Sequence, residues 1–69
     1  MEDHVYKLSE IVGTSHKGYD AAIAAALKRA QATIRHVRWY EVVSQRGYVE
    51  TDGTVQHQVV LKVGFGLED

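Results

Sequence analysis

The sequence predicts an α+β fold, a β-α-β-β unit in which three antiparallel strands wrap on one helix. Three observations predict it. Apolar residues recur in steps of three and four from Tyr19 to Val37, the period of a helix with one apolar face. Val55 to Leu67 alternates with period two, the pattern of a strand. Between that segment and a β-branched, aromatic segment before it stands Thr51-Asp52-Gly53-Thr54, where Asp-Gly supplies the positive φ angles of a hairpin turn.

The first strand is read from "HVYKLSEIV", His4 to Val12, rich in Val, Ile, Leu and Tyr. Gly13 is expected to break it. Thr14 or Ser15 is expected to cap the helix by accepting from a free backbone N–H. The helix face comprises Tyr19, Ala22, Ile23, Ala26, Leu27, Ala30, Ile34 and Val37. "AAIAAAL" has high helix propensity, and its small side chains allow close approach to a sheet. Lys28, Arg29, Arg35 and Arg38 crowd the C-terminal half, where cations suit the helix dipole. "WYEVVSQRGYVE", Trp39 to Glu50, is the second strand and Val55 to Leu67 the third.

Strand direction sets the order. With the helix returning the chain after strand one, an all-antiparallel sheet needs the third strand in the middle, order 1-3-2. A two-residue Asp52-Gly53 loop pairs Tyr40, Val42 and Ser44 with Phe65, Val63 and Leu61 on the helix-packed face. Trp39, Glu41, Val43 and Gln45 then share the other face with Gly66, Gly64, Lys62 and Val60, and Gln58 lies further along it. A three-residue loop shifts this register by one. One helix covers one side of a sheet. The second side is therefore open, and an exposed patch of this kind marks an interface or a ligand groove.

Composition narrows the function. A 69-residue chain, read as one domain over 1–69, buries only about 60% of its unfolded surface. It has no Cys, hence no disulfide and no thiolate metal site, which leaves oligomerisation as the support for a thin core. Eight Lys and Arg against nine Asp and Glu argue against nucleic-acid binding. No apolar run suits a membrane helix, and the acidic "MEDHVYK" start lacks a secretory core, so no membrane partner and a cytoplasmic location are expected. There is no phosphate loop, dinucleotide fingerprint or nucleophile elbow. His4, His16, His36 and His57 show no metal-ligand spacing. Nothing assembles a nucleophile with a base and an orienter, so a non-enzymatic role is expected.

Trp39, the single tryptophan, then has two readings: interface packing, or a flat surface for a ligand ring. Gln58 offers both a donor and an acceptor, which suits the edge of a heteroaromatic ring with alternating N–H and C=O groups.

Three segments, "VYKLSEIVGTS" (Val5 to Ser15), "RWYEVVSQRGYVE" (Arg38 to Glu50) and "HQVVLKVGFGLED" (His57 to Asp69), occur in an order and spacing that resembles the bacterial dodecins almost end to end. The resemblance implies a flavin-binding and flavin-storage protein assembled as a hollow homododecamer of tetrahedral symmetry. It implies FMN or riboflavin bound in pairs, stacked between tryptophans of neighbouring subunits, with the flavin photochemistry quenched. The family tryptophan falls on Trp39 and the glutamine at the isoalloxazine edge on Gln58. The arginine facing the FMN phosphate falls on Arg46, with Ser44 and Gln45 near the flavin. Some relatives also hold coenzyme A. Relatives often read "GFRLED" where this chain has "GFGLED", so Gly66 removes a cation near the ligand and subunit contacts. In the two-residue-loop register Gly66 faces Trp39. The alternative to this reading is a self-assembling module without ligand.

Overall fold

The computed structural model describes residues 3–67. Met1, Glu2 and the closing Glu68 and Asp69 of the "GFGLED" segment lie outside the described residues. β1 (Tyr6–Ser15), α1 (Tyr19–Thr33), β2 (Val37–Val49) and β3 (Val55–Gly66) follow in that order. β3 pairs antiparallel with both other strands, giving the expected order β1-β3-β2.

The strictly alternating β3 forms the centre of the core. Val59, Leu61 and Val63 are fully buried and pack on Ala22 and Ala26 of α1, with Ile11, Tyr19, Ile23, Leu27 and Val37 around them. Full burial of a side chain such as Leu61 contributes about 1.5–3 kcal/mol. The alanines permit this closeness, and so does Gly13. A Cβ at Gly13 would collide with the Ala22 carbonyl oxygen and stand 2.8 Å from the Ala26 Cβ. Gly13 is therefore the point where the helix touches β1, not a strand break, and β1 continues through it to Ser15.

That extension moves the helix start. Thr14 and Ser15 are strand residues, and Gly18 at φ 141° takes the N-cap position with no side-chain cap. The Ser15 hydroxyl instead accepts from the Lys17 N–H at 3.0 Å. The helix also stops sooner than its apolar period predicts. Ile34 is already extended, its N–H closing the last turn on the Ala30 carbonyl at 2.7 Å. His36 sits in the left-handed region at φ 64°, a conformation in which His is enriched, and Val37 opens β2 opposite Phe65. The β-branched Ile34 and Val37 suit extended backbone, and Val37 takes it as the first residue of β2. Lys28 and Arg29 remain on the helix, whereas Arg35 and Arg38 lie beyond it.

The hairpin has a three-residue loop. Gly53 N–H donates to the Glu50 carbonyl at 2.9 Å and Glu50 N–H to the Thr54 carbonyl at 2.8 Å. Gly53 at φ 90° fills the left-handed position of a type I turn followed by a glycine bulge. Asp52 Oδ1 fastens it by accepting from the Thr54 N–H at 3.0 Å and the Thr54 hydroxyl at 2.8 Å. Two bulges, at Arg38 and Val43, shift the β2 register further. Consequently Tyr40 faces Val63, Val42 faces Leu61 and Ser44 faces Val60, each displaced from the expected partner.

The protomer is far from spherical. Its radius of gyration is 14.4 Å and its extents are 56 × 20 × 14 Å, against about 11 Å for a compact chain of this length. Its accessible surface is 5092 Å², where a compact chain of this mass exposes about 4,300 Å². The cause is a mismatch of lengths. The 13 residues of β2 span roughly 43 Å, whereas the 15 residues of α1 span roughly 22 Å. The helix covers β1 and β3 and leaves β2 beyond Val37 largely bare. Tyr40 and Val42, expected in the helix-packed core, lie on the helix side but stay 46% and 39% exposed.

Candidate functional site

The open face follows from the pairing, because cross-strand neighbours share a face. Reading β1, β3 and β2 in turn, its rows are Leu8–Gly64–Trp39, Glu10–Lys62–Glu41, Val12–Val60–Ser44 and Thr14–Gln58–Arg46. Gln56 and Tyr48 close the hairpin end, and Tyr6 stands beside Gly66 at the other. Tyr6, Leu8, Val12 and Tyr48 are between 44% and 57% exposed, so apolar side chains stand uncovered in the protomer on either side of the charged Glu10–Lys62–Glu41 row.

The Val43 bulge decides which residues belong to this face. Strand residues alternate sides, so one extra residue reverses every side chain beyond it. Trp39 and Glu41 precede the bulge; Ser44 and Arg46 follow it and land on the same face. Gln45 pairs with Val59 and goes to the helix side, contrary to expectation. Ser44, expected opposite Leu61 on the helix side, is on the open face instead.

Two clusters result. Ser44, Arg46 and Gln58 are neighbours in adjacent rows, Arg46 exposed and Gln58 half-buried. Trp39 stands apart. Its partner Gly64 is six residues from Gln58, about 20 Å along β3. Sharing a face has not made Trp39 and Gln58 neighbours. A single ligand ring cannot touch both within one protomer.

The Trp39 indole lies on Gly64, not opposite Gly66. A Cβ at Gly64 would meet first the ring carbon Cε2, then Cζ2 at 2.5 Å and Cδ2 at 2.8 Å. Cε2 is bonded to three ring atoms, so it can be met first only through the π face. One face of the indole is thus flat against the strand, while the side chain as a whole remains 42% exposed. Gly66 pairs with Tyr6, and its N–H donates to the His36 carbonyl at 3.0 Å. The glycines of "GFG" lie inside a clean β3 alternation, where glycine marks close approach, and at Gly64 what approaches is the Trp39 indole.

On the helix side, His57 is half-buried. Its Nδ1 lies 3.1 Å from the Ser15 carbonyl, and its ring meets Tyr19 edge-on at 4.9 Å. These contacts make His57 a link between β3, β1 and the helix start. Asp52 is held below the usual carboxylate range, first by the Thr54 backbone N–H and then by its hydroxyl. Among the described residues no group of three or more His, Asp or Glu gathers as a metal site. No helix among them is long and apolar enough to cross a membrane.

Comparison with known proteins places this geometry. The dodecin family model matches residues 5–68. A dodecin of Thermus thermophilus is 54% identical over 65 residues, 94% of each chain. The structure of the Streptomyces davaonensis dodecin superposes with a TM-score of 0.90 at 40% identity, covering 99% of this chain and 100% of that one. The calcium dodecin of Mycobacterium tuberculosis, described with a calcium-binding site, superposes with a TM-score of 0.84 at 31% identity, covering 93% and 91%. The chain belongs to the dodecin family.

Proposed function

We propose that the protein binds and stores flavin, FMN or riboflavin, on its open sheet face. One observation carries the reading: Trp39 has one π face pressed on Gly64 and remains 42% exposed on a sheet face that no helix covers. Such an indole offers one stacking surface at a fixed height, and an aromatic stack is worth about 1–3 kcal/mol per ring. Bound flavin supplies a planar, light-absorbing ring system whose emission a stacked indole quenches.

The protomer holds only part of the site. Trp39 and the Ser44–Arg46–Gln58 cluster are too far apart for one ring, so the complete site takes Trp39 from one protomer and Gln58 from another. A symmetric assembly does this at no cost in sequence, because a two-fold interface repeats every contact. Its closed form is the homododecamer, with two flavins between symmetry-related Trp39 indoles. Gln58 then meets the ring edge, Arg46 the FMN phosphate, and Ser44 flanks them. Gln45 lies on the other side of the sheet, so in the assembly it would reach the flavin only from a neighbouring protomer. Gly66 adds no cation here, so the open face supports flavin, and any coenzyme A would sit at other subunit contacts with other cations on its phosphates. The function is storage or sequestration, without catalysis, since two rings enclosed between indoles leave no approach for a substrate.

Flavin emission tests this. FMN or riboflavin added to the apo-protein at micromolar concentration should lose fluorescence in a saturable way. Unquenched emission would overturn the flavin reading. The second reading, a ligand-free self-assembling module, draws on the same exposed surface. It predicts colourless protein from cells and an assembly that Trp39→Ala breaks apart.

A further inference from the structure

We propose that Gly64 is a positioning residue for the stacking site: its missing side chain seats the Trp39 indole flat on β3 and thereby sets the depth of the slot between facing indoles. The role of the slot rests on the flavin reading above; the seating of the indole does not. Gly64 is buried beneath the indole, and any Cβ there would lie within 2.5–2.8 Å of Cζ2 and Cδ2, with Cε2 nearer still. Ordinary carbon contact needs about 3.5–4.0 Å. An alanine must therefore lift the indole by about 1 Å or tip it off the strand.

The backbone offers no escape. Gly64 lies in the central strand and is paired on both sides, with Leu8 of β1 and Trp39 of β2. It is not a glycine required by conformation, since only Gly18 and Gly53 have positive φ among the described glycines. Nor is glycine what a central strand prefers, because it packs nothing and weakens the strand. The remaining reason for glycine at 64 is the ring above it. A stack of indole, two ligand rings and indole spans three gaps of about 3.5 Å each. Lifting both indoles by about 1 Å consumes more than half of one gap, so the pair of rings no longer fits.

Trp39 is the single tryptophan, so its emission and near-ultraviolet dichroism report the seat directly. The experiment compares Gly64→Ala with the natural chain, each with Trp39 and with Trp39→Ala. In apo-protein, Gly64→Ala should alter the Trp39 dichroic band and raise its rotational freedom. The assembly mass by light scattering should stay the same. Riboflavin affinity by fluorescence quenching should fall at least tenfold, or the stoichiometry should halve. Melting supplies a readout that survives poor assembly. Gly64→Ala should lower the melting temperature when Trp39 is present and raise it in the Trp39→Ala background, where only the strand benefit remains. An unchanged apo dichroic band, unchanged riboflavin binding by an assembled Gly64→Ala protein, or equal melting losses in both backgrounds would each overturn the proposal. Failure of the natural protein to quench riboflavin would sink the flavin reading alone, leaving the dichroism and melting arms to decide the seat.

Discussion

Trp39→Ala should weaken flavin binding by about five- to 150-fold while leaving the protomer folded. The lower and upper figures are one aromatic stack, about 1–3 kcal/mol, converted to a ratio of dissociation constants. The structure limits the loss to one stack. Gly64 occupies the inner π face, so each indole can engage one ring only. In a pair of rings between two indoles, each ring loses one neighbour and keeps the other ring. The fold should survive because the buried core is Val59, Leu61 and Val63 against Ala22 and Ala26, with no atom of Trp39 in it. The assay is a quenching titration with riboflavin, paired with light scattering. Twelve protomers of 7.7 kDa predict roughly 92 kDa for both proteins. Dissociation constants within twofold of each other would refute the stacking argument. An assembly that falls apart on the substitution would instead make Trp39 an interface residue.

Four further outcomes follow from the same geometry. Gln58→Ala should cost about 0.5–1.5 kcal/mol of binding, less than Trp39→Ala, by the same titration. Arg46→Ala should weaken FMN by about tenfold and riboflavin hardly at all, since only a charge-assisted bond to phosphate is lost; equal losses would place Arg46 elsewhere. Leu61→Ala should destabilise the fold by about 2–5 kcal/mol in urea unfolding, because Leu61 is fully buried under the helix. The hairpin should loosen in acid. Asp52 is depressed by its Thr54 hydrogen bonds, so its contribution is present above the ordinary carboxylate range. It is lost as pH falls through the depressed value, and Thr54 amide exchange should quicken there relative to its Val59 counterpart, less so in Asp52→Asn.

Much of this was legible in the chain. Strand order, the helix, the β3 core face and the openness of the second sheet face all follow from period and direction. They rest on repeated signals, so one misread residue does little harm. The pairing of β2 with β3 does not work that way. It depends on loop length and on bulges, each a single event that displaces everything after it. A two-residue loop at Asp52-Gly53 would exchange the sides of Gln45 and Ser44, and with the three-residue loop it takes the Val43 bulge to return Trp39 and Glu41 to the open face. The helix end is not legible because Ile34 and Val37 continue its apolar period, although Ile34 is already extended and Val37 pairs with Phe65. The separation of Trp39 from Gln58 was invisible for another reason. Period tells which face a residue takes, and only the register tells how far along it lies. Exposure of Tyr40 and Val42 likewise depends on where a 15-residue helix runs out over a 13-residue strand.

The Val43 bulge makes this surface depend on counting as much as on chemistry. Trp39 and Arg46 are an odd number of residues apart, a spacing that would set them back to back on a regular strand. The extra residue acts as a half-period phase shift that brings tryptophan and arginine into the same plane of recognition. Any side chain could fill position 43 and the shift would stand. Removing the position would not: a one-residue deletion would leave Trp39, Ser44, Arg46 and Gln58 all present and the site dismantled. Homologous chains of this kind are therefore better compared by the number of residues between their tryptophan and arginine than by the residues in between.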